Sequence, residues 1–321
     1  MKIAILDDYQ DAVRHLNCFK LLKDHQVTVL TQSYQDPEEL ATQLTDVEAL
    51  VLIRERTVIS EELLQKLPSL KLISQTGKVS QHLDPLLCAR YGVAVAEGVG
   101  SPIAPAELCW ALIMAASRNL PGYVEQLQRG NWQNSGSLGL GRTLHGLTLG
   151  IWGFGKIGQR VAEFARAFGM QVLVWGSVAS RQRAAQLGYG VATNKEGFFS
   201  QADIVSLHLR LVPETLGCVT SDDLAMMKPD SLFVNISRAD LVEPGALAAE
   251  MQAQPTKRAA VDVYVNEPAS KQDEPLLTLS NVLCTPHLGY VEHNSYELYF
   301  RAAFENVLSY AAGKTDNVVT V

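Results

Sequence analysis

Short apolar runs alternate with amphipathic polar stretches over the first hundred residues. The runs Lys2–Leu6, Val27–Leu30, Ala49–Ile53, Leu72–Ser74 and Val93–Ala96 predict strands. Between them, Asp36–Gln43 and Glu61–Lys66 are polar and periodic, and Ser60 stands where an N-cap belongs. Strands separated by helices predict βαβ units and a small α/β domain with a mainly parallel sheet. Pro102 and Pro105 then punctuate the chain, and a helix is expected from Ala106 to Arg118, with Leu108, Ala111, Leu112 and Ala115 on one stripe. Residues 121–141, rich in Gly, Asn, Gln and Ser and containing Trp132, predict no regular element. A loose stretch of that length is uncommon in a compact domain, so it is expected to be disordered or, preferably, to pack as an arm on a second subunit.

A second α/β pattern starts at His145. Its candidate strands are Thr148–Trp152, Gln171–Trp175, Ile204–His208, Leu232–Ile236, Ala259–Val263 and Val282–Cys284. Six strands spaced by helices make a doubly wound sheet of nucleotide-binding size. Asn294 to Ala312 reads as one long helix ended by Gly313. Nothing in the second sheet needs this helix, so it is expected to return to the first domain.

Composition narrows the function class. A chain of 321 residues suggests two domains. Its formal charge of −7, with no basic cluster denser than Arg181 and Arg183, argues against nucleic acid or an anionic membrane as partner. The longest uncharged apolar run, Leu108 to Ser117, is far shorter than the ~20 residues that span a bilayer. Met1 to Leu6 reads as a buried strand rather than a signal peptide. Five cysteines without a C-x-x-C pair suit a reducing compartment, and a cytoplasmic location is expected. The seven histidines show no metal-ligand spacing, so no metal is expected.

The strand Thr148–Trp152 runs directly into Gly153-Phe154-Gly155-Lys156-Ile157-Gly158, and a helix follows from Gln159 to Phe168. In a G-x-G-x-x-G turn placed so, Gly153 permits the tight turn, Gly155 lets the backbone approach a pyrophosphate, and Gly158 lets the helix press on the strand. The N–H groups at the helix start favour phosphate. An acidic residue about 20 positions further on would take the ribose hydroxyls. Here the next strand ends in Val174-Trp175-Gly176-Ser177, followed by Ser180 and Arg181, and the carboxylate is missing. Ser177 and Arg181 would accept a 2′-phosphate, so either NAD or NADP is expected as cofactor.

Three polar residues follow late strands of the same sheet: Arg238 after Leu232–Ser237, Glu267 before Pro268, and His287 in Thr285-Pro286-His287-Leu288-Gly289. Loops at the carboxyl ends of an open α/β sheet converge on one crevice, so the three can meet. Their types suit carbonyl reduction: a histidine gives or takes the proton, a carboxylate fixes its tautomer, and an arginine grips a carboxylate and polarises the carbonyl beside it. Taken singly, each is equally a surface or turn residue.

The ordered set G-F-G-K-I-G, N-I-S-R-A-D-L-V, D-V-Y-V-N-E-P and T-P-H-L-G-Y resembles the D-isomer-specific 2-hydroxyacid dehydrogenases, over nearly the whole chain. The resemblance implies a Rossmann NAD(P)-binding domain, residues 100–290, inserted into a smaller flavodoxin-like catalytic domain of residues 1–99 and 291–321. It implies a homodimer joined through a helix and an arm near 119–145, and a small 2-hydroxy or 2-keto acid as substrate. By the same resemblance His287 is the acid/base, Glu267 its partner, Arg238 the substrate clamp and Asp262 the holder of the nicotinamide carboxamide. His208, Ile236 and Gly289 fall among the cofactor contacts. Backbone amides of Gly77, Lys78 and Val79 would take the substrate carboxylate.

The sequence departs from the family pattern in places. Ala239 follows Arg238 where glycine is usual, Arg210 replaces a common proline, and the first loop reads Thr76-Gly77-Lys78-Val79-Ser80-Gln81-His82-Leu83-Asp84 in place of G-V-G-x-D-N-I-D. Lys78 is expected to put an extra cation near the substrate carboxylate and so to favour a more anionic acid. Two other readings keep the fold: a nucleotide-sensing binding protein like the corepressors, and a dehydrogenase of formate or phosphite. The complete Arg–Glu–His set favours the hydroxyacid enzyme.

Overall fold

The computed structural model describes residues 1–315 and 317–319. Two compact units divide the chain: residues 1–101 with the chain from Val291 onward, and Pro102–Tyr290.

The first unit is built on β1 (Lys2–Ile5), β2 (Gln26–Val29), β3 (Ala49–Leu52), β4 (Leu72–Gln75) and β5 (Ala94–Ala96). They form one parallel sheet in the order β2-β1-β3-β4-β5, with Ile3 beside Val27 and Ala49. β3 and β4 are buried at every position; β3 is an unbroken apolar run, as a strand covered on both faces requires, whereas β4 ends in the buried polar residues Ser74 and Gln75. Ser60 caps the helix Glu61–Gln65 through its hydroxyl, which accepts from the Leu63 N–H at 3.2 Å. The long helix His293–Ala311 belongs to this unit. Ser74 Oγ donates to the Ala303 carbonyl at 2.9 Å, and Phe19 and Phe304 pack edge to face. Between β1 and β2 the chain makes two 3-10 segments, Val13–His15 and Asn17–Leu22, instead of an α-helix. The Glu297 carboxylate of the long helix accepts the N–H groups of Asn17 and Cys18 there.

The second unit holds β6 (Thr148–Trp152), β7 (Gln171–Trp175), β8 (Gly190–Val191), β9 (Ile204–Leu207), β10 (Leu232–Asn235), β11 (Arg258–Val261) and β12 (Val282–Cys284). All are parallel, in the order β12-β11-β10-β9-β6-β7-β8. Alternate side chains feed two cores. Leu149, Ile151, Val174 and Val234 pack with Ile113, Val161 and Ala165, while Trp152, Val205, Leu207 and Phe233 pack with Phe198, Phe199 and Leu224. The strand order reverses between β6 and β9, which opens a crevice at their carboxyl ends.

Three sequence expectations are corrected here. The sheet has seven strands and not six, because the two residues of β8 are too few to carry a pattern. The helix expected from Ala106 begins at Ile103, since Pro105 falls in its first turn, where no intrahelical N–H is needed. Residues 121–141 are not loose. A helix spans Leu120–Gln128 and a 3-10 turn spans Gly136–Leu138. Pro121 stands in the first turn of that helix, where it starts the element and does not break it.

Candidate active site and cofactor crevice

The glycine-rich turn leaves β6 at Gly153, whose φ of +97° is open to glycine and strained for other residues. Its N–H donates to the Trp175 carbonyl at 2.9 Å, and a Cβ there would lie 2.4 Å from the His208 carbonyl oxygen. Gly155 caps the helix Lys156–Ala167 and is exposed. Gly158 is buried in that helix, and a Cβ on it would meet the Gly153 carbonyl oxygen at 2.3 Å. Phe154 is only 1% exposed and packs on Tyr189, so only its backbone faces the turn. Ile157 packs against the core, and Lys156 is exposed at the helix start.

The turn fits a dinucleotide pyrophosphate on two grounds. Nothing stands within 4 Å of a Cβ built on Gly155, and the first turn of the helix carries no acidic residue beside its unpaired N–H groups. At the end of β7, the Ser177 hydroxyl caps the helix Val178–Gln186, accepting from the Ser180 N–H at 3.2 Å. The Arg181 guanidinium lies over the Trp175 ring, 4.9 Å from its centre. That helix also has no acidic residue in its first turn.

After β9, His208 Nε2 and Ser206 Oγ are 2.9 Å apart, and Cys109 Sγ is 3.3 Å from the same hydroxyl. Burial pulls the His208 imidazole down to about 4, so the ring is neutral at pH 7. Its Nδ1 is buried with no hydrogen-bond partner among the described residues. Ile236, just past β10, is buried.

Arg238, Glu267 and His287 gather at the carboxyl ends of β10, β11 and β12. Asn235 organises the first loop, donating to the Arg238 carbonyl at 2.8 Å and accepting from the Ser237 N–H at 3.0 Å. Arg238 Nη1 donates to the Ser237 carbonyl at 2.6 Å. Glu267 Oε2 lies 2.7 Å from His287 Nδ1, while Oε1 accepts the Tyr264 N–H at 3.0 Å. Burial pushes the Glu267 carboxyl up, but His287, the Tyr264 N–H and the Arg238 charge outweigh it and hold it below the ordinary carboxylate range. His287 itself sits at φ +51° and packs edge to face on Tyr290.

Asp262 fixes that histidine turn. Fully buried, its Oδ1 accepts from the Thr285 hydroxyl at 2.6 Å and the Leu288 N–H at 2.7 Å, and its Oδ2 accepts from the Gly289 N–H at 2.9 Å. Burial pushes its carboxyl up despite these donors. Three protein donors already occupy Asp262, a role that the sequence expectation for it did not include. Thr285 and Gly289 flank His287 in the same short motif, so that role was open to inference; the Tyr264 N–H left no sequence signal.

In the first unit, the loop after β4 carries Gly77, Lys78 and Val79. A Cβ on Gly77 would collide with the Arg54 guanidinium. Lys78, expected to put a cation near the substrate carboxylate, is paired within its own unit: its Nζ lies 2.6 Å from Glu97 Oε2. Glu97 Oε1 accepts the Val79 N–H at 2.8 Å. No residue pattern marked Glu97 beforehand. Among the described residues, no group of three or more His, Cys, Asp or Glu side chains is placed to hold a metal ion, and no helix is long and apolar enough to cross a membrane.

Comparison with known proteins agrees with this layout. The family model described as "D-isomer specific 2-hydroxyacid dehydrogenase, NAD binding domain" matches residues 110–289. A D-3-phosphoglycerate dehydrogenase of Methanocaldococcus jannaschii is 32% identical over 90% of this chain and 53% of its own length. The chain thus spans about half of that relative. A glyoxylate reductase of Aeropyrum pernix is 31% identical, over 92% of this chain and 90% of its own. The crystal structure of a phosphoglycerate oxidoreductase from Vibrio cholerae is 65% identical, with a TM-score of 0.97 over 98% of this chain and 99% of that one. A family match covering more than half of the chain, set on a parallel sheet with the glycine turn and the histidine–glutamate pair, places the protein among the D-isomer-specific 2-hydroxyacid dehydrogenases.

Proposed function

We propose that the protein transfers a hydride between a nicotinamide dinucleotide and the 2-carbon of a small D-2-hydroxy or 2-keto acid, with His287 as the acid/base. The observation that carries this reading is the 2.7 Å contact between His287 Nδ1 and Glu267 Oε2. An ionised carboxylate only accepts, so Nδ1 carries the proton of that contact. Nε2 is then the atom that gives a proton to the substrate carbonyl oxygen, or takes one from the hydroxyl. Asp262 keeps His287 in its turn. Arg238, oriented in part by the bond from Nη1 to the Ser237 carbonyl, grips the substrate carboxylate and polarises the carbonyl. Gly77, Lys78 and Val79 serve the substrate. The bound dinucleotide supplies or accepts the hydride. Gly153, Gly155 and Gly158 shape the turn that holds its pyrophosphate, with Lys156 beside it.

The family domain is described as NAD-binding. We extend the reading to NADP, because Ser177 and Arg181 stand where a ribose-binding carboxylate is missing. A homodimer is part of the same proposal. Leu120, Val124 and Leu127 are each about half exposed on one helix, and Trp132 is 78% exposed just beyond it. Such a stripe suits burial by a second copy, and a solution mass of two chains would test it. Free cysteines suit the reducing cytoplasm.

The test is a spectrophotometric screen of NADH and NADPH oxidation with glyoxylate, hydroxypyruvate, pyruvate, 2-ketoglutarate and phenylpyruvate. Turnover of at least one acid supports the reading. Tight dinucleotide binding without turnover of any acid overturns it.

A further inference from the structure

The loop after β4 and the residue after β5 are joined more closely than adjacent strand ends require. The Gly98 N–H donates to the Gly77 carbonyl at 2.9 Å, and a Cβ on Gly98 would lie 2.6 Å from the Gln75 carbonyl oxygen. From the long helix, Asn306 Nδ2 donates to the Glu97 carbonyl at 3.0 Å. These contacts fix the Glu97 backbone, and its side chain turns onto the loop. One carboxylate oxygen takes the Val79 N–H at 2.8 Å, and the other takes the Lys78 ammonium at 2.6 Å.

A backbone N–H and an ammonium converging on one carboxylate is the donor set a loop would use to seize the carboxylate of a substrate. Glu97 already fills it. Given that loop 77–79 is the substrate loop of the proposed function, we propose that Glu97 is a specificity-determining self-ligand, a resident carboxylate that the acid must displace from Val79 and Lys78. The clasp is built to open. Lys78 is 71% exposed at its side chain and Glu97 27%, and an ion pair so open to water is weak. The Glu97 side chain can therefore swing off while its backbone stays anchored. One substrate carboxylate can take both contacts at once, the Val79 N–H and the freed Lys78 ammonium.

A purely structural brace makes the opposite prediction, and the two separate in one experiment. The ligand is oxalate, a dianion that cannot be reduced, and its dissociation constant is measured by titration of the NADH-bound protein. Glu97→Gln keeps a carbonyl for the Val79 N–H but removes the charge and releases Lys78. The clasp predicts oxalate binding about tenfold tighter than in the unaltered protein, the scale of relieving one like-charge contact near the surface. Glu97→Asp, one methylene shorter, keeps the charge but draws it back from the amide, and a smaller gain is expected. Arg238→Lys reports separately on the site reading. Unchanged or weaker oxalate binding in both Glu97 variants, with binding weakened by Arg238→Lys, overturns the clasp and leaves the proposed function standing. No effect of Arg238→Lys, with no effect of either Glu97 variant, overturns both.

Discussion

Adding one methyl group at two glycines of the same turn should produce different failures. At Gly158 a Cβ would lie 2.3 Å from the Gly153 carbonyl oxygen and 3.2 Å from Ile151 Cγ2. The nearer atom is backbone, so relief requires the helix to lift from the strand by about 1 Å, given that carbon and oxygen in contact stand at least ~3.3 Å apart. Gly153 cannot yield, because its N–H is held by Trp175 and its Cα packs against the His208 carbonyl. Overpacking of this kind costs about 1–3 kcal/mol. For a unit of this size that lowers the melting temperature by roughly 2–4 °C per kcal/mol. Gly158→Ala should therefore lose both stability and dinucleotide affinity. Gly155→Ala meets nothing within 4 Å, and its φ of −81° suits alanine, so its melting temperature should match that of the unaltered protein. A methyl group there obstructs the approach of the pyrophosphate, and NADH should bind roughly tenfold more weakly. Differential scanning fluorimetry and NADH fluorescence titration read the two quantities. Equal behaviour of the two variants in both assays would refute the assignment of separate roles to these glycines.

Three other outcomes follow from named contacts. Glu267→Gln removes a charge-assisted bond to His287 and should lower kcat by roughly 10- to 100-fold while leaving the NADH dissociation constant unchanged; an unaltered kcat would contradict the pairing. Arg181→Ala should weaken NADPH binding about tenfold and NADH binding much less, and an equal effect on both would remove Arg181 from the phosphate site. Glu292 caps the long helix, accepting from the Ser295 and Asn294 N–H groups at 2.6 and 2.7 Å. Burial pushes its carboxyl up, but these donors outweigh it and hold it below the ordinary range. Its stabilisation is therefore complete above the unfolded value of about 4.3 and disappears as the pH falls through the lower folded value. Glu292→Ala should cost about 1 kcal/mol in urea unfolding at pH 7 and progressively less below pH ~4, and a deficit independent of pH would contradict this.

What the sequence made legible was local. Thr148–Trp152 and the glycines after it are contiguous, and each glycine answers to a neighbour within a few residues or to an adjacent strand. Strand runs such as Leu232–Asn235 were readable because both faces are buried, which forces unbroken apolar stretches. The helix Leu120–Gln128 was missed because Pro121 and Gly122 look like breakers, although Leu120, Val124 and Leu127 stand at helical spacing. The pairing of Lys78 was hidden for a different reason. Its partner Glu97 lies nineteen residues away and is brought close only by the pairing of β4 with β5. Asp262 likewise shows its grip on the histidine turn only once β11 and β12 lie side by side. Chain-distant polar pairing leaves no periodicity to read.

The central claim is that His287 passes the proton while the dinucleotide is held elsewhere. Single-turnover reduction of the best acid from the screen, in protein preloaded with reduced dinucleotide, tests this most directly when the unaltered protein is compared with His287→Gln. The rate is expected to fall by roughly 10²- to 10⁴-fold with dinucleotide affinity unchanged. A His287→Gln protein that reduces the acid at the original rate would contradict it.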